Sequence, residues 1–232
     1  MNSTEDANLN LTTGQTIEYL GLQMSAEFVT DKQVAKYIAQ VNESIDSLWL
    51  VIVALEVICM QLGFIMLEVG TIRTKNSRNI IYKNMVDTFV STITFWTIGY
   101  GHAYGSDGGL LGTGGFFDAG FNDVDYRTWL ISYGFCTTTC TIISGALAER
   151  TFLDTYIFFT FLMSSLIYPV LACWVWGGGW LQLLGFHDHG GSGVVHMSAG
   201  FAGMIGTYIL GPRLGFFKNR APDRGSFEYA RL

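Results

Sequence analysis

The sequence predicts an all-α membrane protein with five transmembrane helices, and three observations carry that expectation. Its apolar residues fall in five blocks, each close to the ~20 residues an α-helix needs to cross a hydrocarbon core. Half of the 232 residues are hydrophobic and only 14% are charged, against about 25% in a soluble domain. The few charges crowd between the blocks. A soluble helical core is the weaker alternative, because this composition supplies too little polar surface to cover it.

Residues 1–47 form a polar, acidic leader without the basic-plus-apolar layout of a signal peptide. They are expected to lie outside the membrane as a loose loop with a short helix near Asp31 to Ser44. Three N-glycosylation sequons, at Asn2, Asn10 and Asn42, all precede the first apolar block. That block, Leu48 to Thr71, therefore serves as the insertion signal. The second runs from Ile80 to Tyr104, the third from Thr128 to Ala148, the fourth from Phe152 to Trp176 and the fifth from Ser192 to Leu210. Residues 48–211 make up the membrane domain, and 212–232 are a cytoplasmic tail.

Orientation follows from the loops, since Lys and Arg are retained on the cytoplasmic side. Arg73, Lys75, Arg78 and Lys83 cluster between the first and second spans, and the tail carries Arg213, Lys218, Arg220, Arg224 and Arg231. The connection from Gly105 to Tyr126 holds Asp107, Asp118, Asp123 and Asp125 and no basic residue. It suits the outer side, which places the N-terminus outside and the C-terminus in the cytoplasm. The net charge of −6 comes mostly from outer loops, mildly concentrates cations there and gives nucleic acid no basic surface. The four cysteines, Cys59, Cys136, Cys140 and Cys173, sit inside spans and read as small apolar packers. They form no disulfide or zinc pattern.

The stretch most suggestive of function is WGGGWLQLLGFHDHGGSGVVH, Trp176 to His196, where a Trp, an Asp and a His meet glycine-rich backbone between two apolar runs. Ionisable groups at membrane depth are costly and usually functional. The third span enters from outside near Arg127, so Phe135 lies roughly 12 Å down at 1.5 Å per residue. The fifth enters near Gly190 and puts His196 at roughly 9 Å on the same scale. The fourth runs outward and leaves Trp176 at the outer mouth. An aromatic mouth, a deeper ring and an imidazole make a graded route for a small cation or its neutral base, with ring faces to hold the cation. On the fifth helix, Gly200, Gly203 and Thr207 are placed on the face of His196, which points the imidazole at protein or a cavity. The plain alternative is a buried His satisfied by a backbone or hydroxyl partner.

LGFIMLEVGTIRTKNSRNI, TIISGALAER, YPVLACWVWGGGWL and the D-x(7)-H segment, in that order from about Ser47 to Phe217, resemble the ammonium transporter family (Amt/Mep/Rh). The resemblance implies an eleven-helix fold of two inverted five-helix halves, with this chain the first repeat and 212–232 the start of the inter-repeat loop. It implies that Trp176 and Phe135 form the ammonium recruitment site and its gate, and that Asp188 organises the site through backbone contacts. His196 becomes the first of a histidine pair that relays the proton or the neutral ammonia. Ammonium or ammonia, with methylammonium as analogue, is the implied substrate, and no cofactor or enzymatic activity is expected. A plasma-membrane location and a homotrimer are implied for a full-length protein. Cation-π contact at Trp176 offsets about 1–2 kcal/mol of dehydration.

The chain departs from the family pattern in three places. Ile131 stands where an aromatic often precedes the gate Phe, leaving Tyr133 as a possible substitute. His187 and His189 flank Asp188, in D-H-G-G for D-F-A-G. The second repeat is absent, so a half-length chain is not expected to conduct by the family mechanism. The runner-up function is a non-transporting half-length subunit or ammonium sensor. A serine nucleophile at Ser192 lacks a base on a separate helix, and a metal site from His187, Asp188, His189 and His196 is a weaker reading still.

Overall fold

A computed structural model describes residues 16–19, 22–25, 31–105 and 109–213. The chain divides into two compact units, Met1–Asp46 and Ser47–Leu232. In the first, strand β1 (Thr16–Tyr19) pairs antiparallel with β2 (Leu22–Ser25), with Tyr19 opposite Leu22 and Thr16 opposite Ser25. The expected loop with a short helix needs correction, because helix α1 runs unbroken over Asp31–Thr71. Its polar first turns and apolar remainder are one helix, and polarity sets where the span begins while nothing stops the backbone ladder. Asn42 is exposed on α1. Asn2, Asn10 and Asp107, the far end of the motif region at Phe217, and the tail cations Lys218, Arg220, Arg224 and Arg231 lie outside the described residues.

Helix α2 covers 77–104, as α-helical Ser77–Thr94 and Tyr100–Tyr104 around a π-helical turn at Phe95–Gly99. Helix α3 is Asp123–Leu147. It opens on a capping box, in which the Asn122 side chain accepts from Val124 and Asp125 N–H while the Asp125 carboxylate accepts from Asn122 N–H. Helix α4 covers 153–175, again with a central π turn at Met163–Ile167. A short α5 (Trp180–Leu183) precedes α6 (Ser192–Leu210), whose first turn, Ser192–Met197, is also π-helical.

Helix α3 lies against α1, α2 and α6, and α2 packs along α4. The main core is aromatic: Phe95, Tyr100 and Tyr168 meet Cys136, Val194 and Val195. The Phe95 and Tyr168 rings are 5.9 Å apart, and the Tyr168 hydroxyl donates to the Ser132 carbonyl at 3.2 Å. Cys140, Ile143, Leu147, Tyr156, Met163 and Ala199 continue the packing.

Four helical stretches, Lys32–Thr71, Asp123–Leu147, Leu153–Leu183 and Ser192–Leu210, are long and apolar enough to cross a membrane. The fifth expected span, α2, differs because its inward face is polar: Lys83, Asn84, Asp87, Ser91 and Thr94 are buried along it. The charge pattern groups Lys83 with the cytoplasmic loop. It is instead 3% exposed and pairs with Glu68 of α1 at 3.0 Å. Glu68 also accepts from Asn84 Nδ2 at 2.8 Å and from Ser144 Oγ at 3.1 Å, and Thr160 donates to Asp87 at 2.7 Å. Charges removed from water survive only when paired and hydrogen-bonded, so this network ties α1 to α2 and α3, and α2 to α4.

Candidate functional site

Helix α4 stops at Val175, and Trp176 takes the C-cap position with its N–H donating to Ala172 at 2.7 Å. The chain then doubles back so tightly that a side chain at Gly177 would run into the Ala103 carbonyl. Glycine is required there, and its contact fixes the end of α4 against the end of α2. Gly178 follows with φ 82°, a left-handed conformation that costs glycine little. The indole is thereby held at a helix terminus and does not depend on a flexible loop.

Phe135 reaches the same place from α3. The Phe135 and Trp176 ring centroids are 5.5 Å apart with planes inclined by 37°. Both side chains are half-buried against the aromatic core. Rings this close are in contact with one another, so a cation is held on an outer ring face, where the attraction reaches to ~6 Å from the centroid. Tyr133 lies two residues before Phe135 on α3. Its ring stacks on Trp129 at 5.4 Å, and its hydroxyl accepts from Thr92 Oγ1 at 2.9 Å, which turns it toward α2.

Asp188 sits beneath the start of α6. Its two carboxylate oxygens accept from the N–H groups of Gly193 at 2.9 Å and Val194 at 3.0 Å. These donors have no partner within a helix, and a carboxylate at the positive end of the helix dipole satisfies them. Gly191, at φ 84°, makes the turn into α6 and lies beside the Trp176 ring. Asp188 thus anchors the backbone that adjoins the mouth indole. His187 and His189 are exposed, and Ser192 Oγ donates to the His189 carbonyl at 2.7 Å.

The placement of His196 requires correction. Its N–H bonds to Gly191 O at 3.0 Å, one residue further back than in an α-helix, so the π turn shifts the helical register. The buried stripe of α6 runs through Val195, Ala199 and Gly203, and Gly203 meets Ala146 of α3. His196 and Gly200 are exposed. Among the described residues the imidazole is therefore on the open side of the bundle, flanked by Met197 and Phe201 and not enclosed by the other helices. The structure joins Trp176 to Phe135, puts Asp188 beneath the adjoining turn and leaves His196 unenclosed.

Sequence reasoning missed the buried network of Glu68, Lys83, Asn84 and Asp87. The signal was present: a Glu inside the first apolar block, and a Lys and an Asp four residues apart inside the second.

Comparison with known proteins identifies the family. The profile of the Ammonium Transporter Family matches residues 48–228. The chain is 39% identical to Ammonium transporter 3 of Dictyostelium discoideum over 179 residues, 76% of this chain and 41% of that protein. It is 38% identical to Ammonium transporter 1 member 3 of Solanum lycopersicum, covering 77% and 41%. Among solved structures, the Sensor Amt Protein superposes with a TM-score of 0.72 at 35% identity, over 75% of this chain and 46% of that one. Candida albicans Mep2 gives 0.64 at 28%, over 72% and 39%. The chain spans about two fifths of the length of the curated relatives it matches. With several helices long and apolar enough to cross a membrane, it is a multi-pass membrane protein that belongs to the ammonium transporter family.

Proposed function

We propose that the chain supplies the outer recruitment site and one wall of the pore for ammonium transport across the plasma membrane, with five spans, the N-terminus outside and the C-terminus in the cytoplasm. The observation that carries this reading is the Phe135–Trp176 ring pair at 5.5 Å, built on two helix-anchored side chains. A monovalent cation held against the Trp176 face exchanges part of its hydration for ring contact. Below it the apolar interior disfavours charge and favours the neutral base. Asp188 acts through the backbone, fixing the α6 terminus beside the mouth. His196 becomes a pore residue once its exposed face is covered by the second repeat of a full-length assembly, which we take to be a homotrimer. The relatives are named as transporters, and the reading includes no enzymatic step.

The test is methylammonium uptake in cells lacking their own carriers. The chain alone is expected to give none, and co-expression with a second half to restore it. In the restored system, Trp176→Ala raises the half-saturating concentration about 5- to 30-fold, the equivalent of 1–2 kcal/mol of lost cation-π contact, while His196→Ala changes ion discrimination. Unchanged uptake in both variants would remove the site assignment. The second reading, a non-transporting subunit or sensor, draws on the name of the Sensor Amt Protein. It predicts methylammonium binding that depends on Trp176 with no uptake even when both halves are present.

A further inference from the structure

Helix α1 begins well before its span. The apolar block that crosses the membrane starts at Leu48, so residues 32–47 lie outside the hydrocarbon, a length of roughly 24 Å at 1.5 Å per residue. Along this stretch Val34, Ile38, Val41, Ile45 and Leu48 recur at alternating steps of four and three. That is the 3.5-residue repeat of a coiled-coil seam, with Ile38 and Ile45 at a and Val34, Val41 and Leu48 at d. The five side chains are between 43% and 61% exposed. The same spacing continues into the span at Ile52 and Leu55, where lipid covers exposed apolar side chains. Before Leu48 there is no lipid, and a continuous apolar stripe in water marks a contact surface. A helix lying along the bilayer surface would need a break from the span, and α1 is unbroken over Asp31–Thr71.

The remaining positions decide what covers the stripe. Lys32, Lys36, Glu43 and Asp46 all fall at b or f, away from the seam, while e and g hold Ala35, Asn42, Tyr37 and Ser44. The flanks that set partner choice in a coiled coil are therefore uncharged. An identical helix can lie alongside in register without like charges meeting, and a partner of opposite charge finds nothing there to pair with. Copies inserted the same way in one membrane are parallel, which brings each seam residue against its own counterpart. Isoleucine at a with valine at the first two d positions favours more than two strands. We propose that residues 34–48 are a self-association seam, at which copies of this chain form a short parallel coiled coil outside the bilayer. The seam uses neither the Phe135–Trp176 pair nor His196, so its failure leaves the transport reading standing.

The test is cross-linking of the full chain in bacterial membranes, which add no glycan at Asn42 beside the seam. All variants carry Cys59→Ser, because Cys59 is exposed whereas Cys136, Cys140 and Cys173 are buried. A cysteine is placed on the seam by Val41→Cys or Ile45→Cys, or behind it by Lys36→Cys or Ala39→Cys. Copper-phenanthroline oxidation is expected to link copies through either seam position at least about fivefold more than through either outer one. Adding Ile38→Asp to Val41→Cys puts like charges in the seam and lowers the linked fraction about fivefold. All of these side chains are exposed, so the variants fold. Equal linking at seam and outer positions, no linking at either seam position, or undiminished linking with Ile38→Asp would each overturn the proposal.

Discussion

Asp188 and His196 are eight residues apart on a shared segment, yet the structure gives them opposite energetic standing. Asp188 satisfies two backbone donors at the start of α6. Its replacement by Ala is expected to cost about 1–2 kcal/mol, in the range of lost helix caps. The His196 side chain is exposed, so His196→Ala should change stability by less than about 0.5 kcal/mol. Thermal unfolding of the two purified variants checks both, and equal losses would mean that the imidazole has structural work in this chain. Trp176, Phe135 and Asp188 were legible in the sequence because each stands at a marked position: before a glycine run, within an apolar helix, or ahead of a helix start. The face of His196 was not legible, since a π turn moves every later side chain round the axis and leaves no mark in the residue pattern.

The contact between α3 and α6 rests on absent side chains. A Cβ at Gly203 would stand 2.9 Å from that of Ala146, whereas one at Gly200 meets nothing within 4 Å. Gly203→Leu is therefore expected to destabilise by roughly 1–3 kcal/mol through overpacking. Gly200→Ala should be neutral or stabilising by up to ~1 kcal/mol through helix propensity. Unfolding midpoints that moved in the reverse order would place the interface on the other face. The union of α1 with α2 is electrostatic. Glu68→Gln leaves Lys83 buried without its countercharge, at a cost of about 3–5 kcal/mol, while the paired change Glu68→Met with Lys83→Met recovers most of that loss. A double-mutant cycle measures this directly. The cores of the third, fourth and fifth elements were legible from length and apolarity. The extent of α1 was not, because a helix continues past the membrane edge wherever its backbone bonds remain intact.

At the scale of the molecule, the lopsided surface matters most. Helix α6 turns Met197, Phe201, Met204 and Tyr208 outward around His196, and these apolar neighbours suit either lipid or another helix layer. The proposed topology makes a separate prediction. A cysteine replacing Asp118 should react with an impermeant maleimide added outside intact cells, and one replacing Lys75 only after permeabilisation. Labelling of Lys75→Cys from outside would invert the spans.

Composition and pattern alone determined that the chain enters a bilayer through long apolar helices, because transfer to hydrocarbon depends on local sequence. Four ordered motifs were enough to show the family. Only the tertiary structure decided that Trp176 meets Phe135 while Tyr133 turns away, that Lys83 is buried against Glu68, and that His196 lies outside the stripe packed on α3. Those outcomes depend on helix register and on distances between segments far apart in the chain, and a π turn or a single glycine contact sets them.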